Sequence, residues 1–177
     1  MKSKSNQSIL YRVIVSAIVL GSIILGTKSH ADKGTSVLSV SATVEHFCSI
    51  GTNPMTFGAY DGIVANASNA LEATATITST CTSGVEALIT MNAGASAGSG
   101  SADAPVRRMT AGAGEYLVYQ VYSDVARGTV WGNTAPTGVA LTGTGVSQTL
   151  TAYGSVPAAQ PAAQGVYSDQ LSVTITY

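Results

Sequence analysis

Residues 167–177 have the sequence YSDQLSVTITY, in which four apolar residues alternate with polar ones. The apolar residues are Leu171, Val173, Ile175 and Tyr177. Alternation with a period of two is typical of a β-strand with one buried face. The sequence then ends without a turn or a further strand, and proteins normally cover an apolar edge strand of this kind. We therefore expect a second strand, from this chain or from a neighbour, to pair with its free edge.

A second alternating stretch near the N-terminus is the candidate for that partner. Residues 38–44 (LSVSATV) place aliphatic side chains on one face and hydroxyl side chains on the other. The aliphatic residues are Leu38, Val40, Ala42 and Val44, and only Val37 is out of phase. Two interpretations remain open at this point. The segment forms the first strand of its own domain, or it pairs with a neighbouring chain.

The first 31 residues predict a secretory signal peptide. Lys2, Lys4 and Arg12 precede an apolar run of 14 residues, and residues 29–31 (SHA) place small residues at positions −3 and −1 of a cleavage site. The run is shorter than the roughly 20 residues of a membrane-spanning helix, which disfavours a membrane anchor. Cleavage leaves residues 32–177, enough for one domain.

The expected mature chain is acidic. It keeps four basic and nine acidic residues, a net charge of −5. Arg107 and Arg108 form its only basic pair, which we expect to lie at a solvated edge, and a nucleic-acid binder needs a clustered basic face. The composition therefore excludes nucleic acid as a partner.

The two cysteines, Cys48 and Cys81, predict one disulfide. Two cysteines in an exported chain form a disulfide more often than a metal site or a catalytic thiol. The bond would close a loop of 34 residues. In the chain-entropy model, a disulfide across such a loop stabilises the folded state by about 3.8 kcal/mol. An oxidising compartment, the periplasm or beyond, follows from this pairing.

The rest of the chain predicts an all-β sandwich of about seven strands, without an amphipathic helix of useful length. Residues 116–122 form an apolar run interrupted only by Gln120, which predicts a central strand buried on both faces. Further strands are predicted at residues 55–62 (ending in an Asp-Gly turn), 71–81, 85–91 and 149–154, with loops at 63–69, 92–105 and 157–165.

The sequence contains no evident catalytic, metal-binding or cofactor-binding set. His46 is the only histidine after residue 31, so the usual metal-ligand clusters and a Ser-His-Asp triad lack members. Residues 94–100 are glycine-rich, but no Gly-Lys-Ser/Thr follows to seat phosphate. We expect Trp131 and most of the tyrosines to supply bulk to the core. The protein is predicted not to be an enzyme and to need no cofactor.

Several short motifs follow one another in a distinctive order. They are Cys48, 57–61 (FGAYD), 81–84 (CTSG), 108–109 (RM), 117–124 (LVYQVYSD), 131–132 (WG), 153–160 (YGSVPAAQ), 165–169 (GVYSD) and 173–177 (VTITY). From about Leu38 to the C-terminus, the chain resembles the spore coat protein U domain family, which includes pilin subunits of archaic chaperone–usher pili. Each motif alone is weak, and the ordered set is specific.

The resemblance implies an incomplete immunoglobulin-like sandwich that lacks its last strand. In such pilins a periplasmic chaperone lends a strand, and the N-terminal segment of the next subunit replaces it at the outer-membrane usher. Residues 32–46 would then be the donor segment and residues 47–177 the sandwich domain. Leu38, Val40, Ala42 and Val44 would enter a neighbour's groove, and the chaperone would capture the C-terminal carboxylate at Tyr177.

The resemblance also implies a structural subunit of a surface pilus, exported to the periplasm and then to the cell surface, that supports adhesion or biofilm formation. Two alternatives remain. The first is a secreted outer-coat protein. The second is a self-contained sandwich whose loops, residues 92–105 and 128–145, bind a ligand with Trp131 as an anchor.

Overall fold

The computed structural model describes residues 30–112 and 114–177, so most of the predicted signal peptide lies outside the described residues. It contains eight strands and a short 3₁₀ helix, Ala135–Thr137. The strands are β1 Cys48–Thr52, β2 Leu71–Cys81, β3 Glu86–Met91, β4 Arg107–Gly112, β5 Glu115–Tyr122, β6 Val139–Thr142, β7 Gln148–Val156 and β8 Val173–Thr176. None of the helices in this part of the chain has the length and apolarity to cross a membrane.

The strands form two antiparallel sheets, so the predicted all-β class is confirmed. One sheet has five strands in the order β1-β2-β7-β5-β4, and the other has three in the order β6-β3-β8. All eight strands lie in the compact unit Ala42–Tyr177. The alternation predicted for residues 71–81 appears as β2, whose register with β7 runs from Leu71 opposite Val156 to Ser79 opposite Gln148.

The core lies between the two sheets. Inward-facing aliphatic and aromatic residues of β2, β3, β5 and β7 form its largest cluster. Trp131 is almost fully buried within it, and its indole N–H donates to the Ile89 carbonyl at 2.8 Å. The prediction that Trp131 supplies core bulk is therefore correct, and a buried indole with a satisfied N–H is the expected arrangement.

Residues 116–122 are buried on one face only, so the prediction of a doubly buried strand is wrong. Leu117, Tyr119 and Val121 face the core, whereas Tyr116 and Val118 are 42% and 37% exposed. These alternate positions lie on the outer face of the five-stranded sheet, where the Arg108 guanidinium stacks 4.0 Å from the centre of the Tyr116 ring.

The predicted strand at residues 55–62 does not form. The segment instead crosses the inner face of the five-stranded sheet, where Met55 and Phe57 pack over Gly154. Gly58 has a φ of 81°, which interrupts an extended strand. The turn at its end is confirmed, because the Asp61 carboxylate accepts the backbone N–H groups of Ile63 and Val64.

Three observed strands were not predicted, the closing strand is shorter than predicted, and the predicted strand at residues 38–44 does not form. The strands β1, β4 and β6 were not predicted, because their short sequences (CSIGT, RRMTAG and VALT) carry little alternation. The closing strand is confined to Val173–Thr176. Residues 38–44 form no strand, and Leu38, Val40 and Val44 are 86%, 85% and 77% exposed.

Candidate strand-acceptor groove

A groove of about 1400 Å³ opens alongside β8. Residues 52–63, residues 160–169, Leu171 and Val173 line it, and the two stretches meet where the Gln160 N–H donates to the Tyr60 hydroxyl at 2.8 Å. Its floor consists of core side chains of the two sheets, which include Ile77, Met91, Leu117, Val121, Ala152 and Val156. A cleft of this size with a floor of core residues indicates that the sandwich is not closed along this side.

The edge of β8 that faces away from β3 has no strand partner among the described residues. On the β3 side, the Asn92 N–H donates to the Ser172 carbonyl at 3.1 Å, and the Ser172 N–H donates to Asn92 Oδ1 at 2.9 Å. Backbone groups alternate between the two edges of a strand. The N–H and C=O groups of Val173 and Ile175 therefore point to the free edge, where another strand could bind them.

Three of the four residues predicted for the inward face of this strand lie there. Leu171, Val173 and Ile175 are half-buried and pack against the core. Tyr177 differs, because its side chain is 53% exposed beyond the end of β8. The strand thus presents an aliphatic face to the core and an open backbone edge to the solvent.

A polar cluster lies at the end of the groove where β8 begins. Asp169 Oδ2 accepts the Tyr119 hydroxyl at 2.8 Å, and Oδ1 accepts the N–H groups of Ala95 and Ser96 at 2.9 and 3.1 Å. Burial and the hydrogen bond to Asp169 raise the pKa of Tyr119 above its usual value. Asp169 therefore fixes the start of the closing strand to β5 and to the loop at residues 92–105.

Arg107 is fully buried beside this cluster, contrary to the expected solvated edge. Its guanidinium donates to the carbonyls of Asn92 and Trp131 at 2.8 and 2.7 Å and to Gln120 Oε1 at 2.6 Å. Burial lowers the pKa of Arg107 to about 10, so the side chain stays charged at neutral pH. The sequence carries no signal for this role, because the acceptors are mainly backbone carbonyls.

The predicted disulfide closes the other end of the groove. Cys48 and Cys81 are bonded and form a small cluster with Val85 and Ala87. Ile175 packs against this cluster, and neither Ile175 nor the cysteines line the groove. β1, which begins at Cys48, also contacts β8, so the space beside β8 is closed at the disulfide end and continues toward Asp169.

The four predicted donor residues, Leu38, Val40, Ala42 and Val44, are all exposed and lie outside the strands. His46 is exposed as well. In the part of the chain that the structure describes, no group of three or more His, Cys, Asp or Glu residues is arranged to hold a metal ion.

The fold and the groove together define an antiparallel sandwich that is open along its last strand. Residues 34–174 match the Spore Coat Protein U domain, and the chain belongs to this family, as the ordered motifs predicted. It is 34% identical to Protein U of Myxococcus xanthus over 172 residues, which cover 93% of this chain and 96% of that protein.

A solved structure shares the fold. The crystal structure of the CsuC–CsuE chaperone–tip adhesion subunit pre-assembly complex, from archaic chaperone–usher Csu pili of Acinetobacter baumannii, contains a chain that superimposes with a TM-score of 0.52 at 18% identity. The match covers 76% of this chain and 40% of that chain.

Proposed function

We propose that this protein is a structural subunit of a surface pilus that polymerises by donor-strand exchange. The groove beside β8 carries the proposal, because it combines an open backbone edge with a floor of core side chains. A β-strand added at such an edge gains main-chain hydrogen bonds, and its alternate side chains fill the pockets below. Membership of the Spore Coat Protein U domain family and the likeness to the Csu complex support this function.

The donor in this proposal is the N-terminal segment of a second copy of the chain. Leu38, Val40 and Val44 are exposed aliphatic residues at even spacings, which suits a strand that buries one face. Burial of each contributes roughly 1.5–3 kcal/mol before ordering costs. Ala42 fills less of its pocket and is the weakest of the four contacts.

The remaining partners follow from the same proposal. A groove with a bare apolar floor needs a temporary occupant before assembly, and a periplasmic chaperone would supply a strand for this purpose. An outer-membrane usher would then exchange the strand of the chaperone for the donor strand of a neighbouring subunit. Residues 1–31 would direct export, and the fibre would act at the cell surface in adhesion or biofilm formation. The proposed role is structural, without catalysis.

A polymer in a secreted outer coat is the second candidate. The family takes its name from a spore coat protein. The match to Protein U of Myxococcus xanthus spans nearly the whole of both chains. A coat would use the groove in the same way and would differ in where the polymer is deposited. A self-contained ligand-binding sandwich has less support, because it would require a closed groove.

Size-exclusion chromatography tests the proposal. Oxidised residues 32–177 are compared with a variant that carries residues 35–46 after Tyr177 through a short linker. We expect the first protein to polymerise or to require a chaperone and the second to be a highly stable monomer, because its groove is filled within the chain. A matched variant whose appended segment has Leu38→Ser and Val40→Ser should lose that stability. A native chain that is already a stable monomer and gains nothing from the appended segment would contradict donor-strand exchange.

A further inference from the structure

Three exposed aliphatic side chains lie at the open end of the groove. Ile63 and Val64 are 88% and 77% exposed, and Val166 is 90% exposed. Ile63 and Val166 both line the groove. We refer to Ile63, Val64 and Val166 as the apolar rim.

The turn that carries Ile63 and Val64 is an ordered structure. Asp61 accepts their N–H groups at 2.9 and 3.1 Å, and the Asn66 N–H donates to the Asp61 carbonyl at 2.6 Å. The Ala159 N–H donates to the Asn66 carbonyl at 2.9 Å, which joins this turn to the loop at residues 157–165. Two aliphatic side chains held in place but exposed to water have the character of an interaction surface.

The closed end of the groove determines the direction of an inserted strand. β1 contacts β8 at the disulfide end, where Ile175 packs on the disulfide cluster, so an inserted strand would enter from the other end, with the body of its subunit beside the rim. The donor segment joins its own body at its C-terminal side, where β1 begins at Cys48. The C-terminal side of the donor therefore lies near Asp169, and the donor runs antiparallel to β8.

Phe47 is the first apolar residue that follows the donor segment. Its side chain is 62% exposed. The Phe47 N–H donates to Thr82 Oγ1 at 3.2 Å, and the Thr82 N–H donates to the Phe47 carbonyl at 2.9 Å. It lies three residues after Val44, a reach of about 10 Å for an extended chain. With Val44 in the groove, Phe47 of the donor subunit comes within reach of the rim of the acceptor.

We propose that the apolar rim (Ile63, Val64 and Val166) binds Phe47 of the next copy of this chain and forms a second contact between subunits outside the groove. This inference rests on the proposed function. Phe47 lies at the disulfide end of a subunit and the rim lies at the opposite end of β8. The contact is therefore heterologous, and repetition of such a contact without closure produces an open filament.

A cycle of peptide and protein variants tests the contact. Full-length protein carries Leu38→Ser and Val40→Ser, so that its own segment does not compete for the groove. Two synthetic peptides of residues 34–47, one native and one with Phe47→Ser, are titrated against it and against a form with Ile63→Ser and Val64→Ser. Val146→Ser is the matched control, because it makes the same kind of change at a valine that is 65% exposed and does not line the groove.

We expect the native peptide to bind about five-fold more tightly than the Phe47→Ser peptide, and this advantage to disappear in the Ile63→Ser, Val64→Ser protein. The Val146→Ser protein should keep it. Equal affinity of the two peptides for the intact rim would overturn the rim contact and leave donor-strand exchange standing. Failure of both peptides to bind would overturn the proposed function, and the rim contact with it.

Discussion

The Tyr119 hydroxyl donates a 2.8 Å hydrogen bond to Asp169 Oδ2. This bond joins a floor strand of the groove to the residue that leads into Leu171 and β8. The same carboxylate accepts the N–H groups of Ala95 and Ser96, so one side chain holds the floor, the closing strand and the long loop together. The position of the free edge of β8 therefore depends on Asp169.

Removal of the phenol oxygen should destabilise the domain measurably. We expect Tyr119→Phe to cost about 1 kcal/mol of unfolding free energy, and Asp169→Ala to cost more, because it leaves the Tyr119 hydroxyl and the Ser96 N–H without their acceptor. Urea unfolding of the oxidised protein measures both. Tyr122→Phe is the control, since that hydroxyl makes no hydrogen bond among those found between the described residues. Equal stability of Tyr119→Phe and the native protein would show that the bond contributes nothing.

The buried guanidinium of Arg107 should not be replaceable by an ammonium. Arg107→Lys keeps the charge but loses the planar set of donors that reaches Asn92, Trp131 and Gln120. We expect a loss of at least about 2 kcal/mol, because buried acceptors remain unpaired. Arg108→Lys, at a partly exposed site, should cost no more than about 1 kcal/mol. Comparable losses for the two variants in thermal unfolding would contradict this account.

Gly154 should not tolerate a methyl group. A Cβ atom there would overlap Met55 Sδ and lie 2.7 Å from Phe57 Cζ, at the point where residues 55–62 cross the sheet. We expect Gly154→Ala to cost about 1–3 kcal/mol, as overpacking of a core does. Gly128→Ala, whose nearest atom is Asp124 Oδ1 at 3.8 Å, should change stability by less than about 0.5 kcal/mol. Chemical denaturation distinguishes these results.

The turn at residues 61–66 should loosen in acid. Hydrogen bonds from the backbone N–H groups of Ile63 and Val64 lower the pKa of the Asp61 carboxyl. A group whose folded-state pKa is lowered stabilises the fold above its unfolded value of about 3.9 and loses that effect as the pH falls through the folded value. NMR titration of the Ile63 and Val64 amides should show a midpoint below about 3.9, and Asp61→Asn should abolish it. A midpoint at or above that value would be inconsistent with these bonds.

Assembly should depend on one face of the donor segment. Val40→Ser replaces an aliphatic side chain that the proposed contact buries, and we expect it to reduce polymer yield at least about ten-fold. Ser39→Ala alters the opposite face of the same strand and should leave the yield within about two-fold, because that face stays exposed. Sedimentation of the polymer measures the yield for both variants. A larger effect of Ser39→Ala than of Val40→Ser would show that the opposite face of the segment enters the groove and would contradict the proposed contact.

Regular alternation made some elements predictable. Residues 71–81 alternate over eleven positions, and β2 has these bounds. Cys48 and Cys81 pair as expected, because a chain with two cysteines has one intramolecular pairing available. The strands β1 and β6 escaped prediction because pairing with longer neighbours, β2 and β3, stabilises sequences too short to show a period.

The sequence by itself determined the all-β class, the disulfide and the inward positions of Leu171, Val173 and Ile175, because each depends on residue types and their local spacing. Only the tertiary structure decided that Arg107 is buried, that residues 55–62 cross the sheet and that a groove remains beside β8. These features depend on residues far apart in the chain. Tyr119 and Asp169 are 50 residues apart, and no local pattern records which donor a carboxylate will meet when the sheets pack.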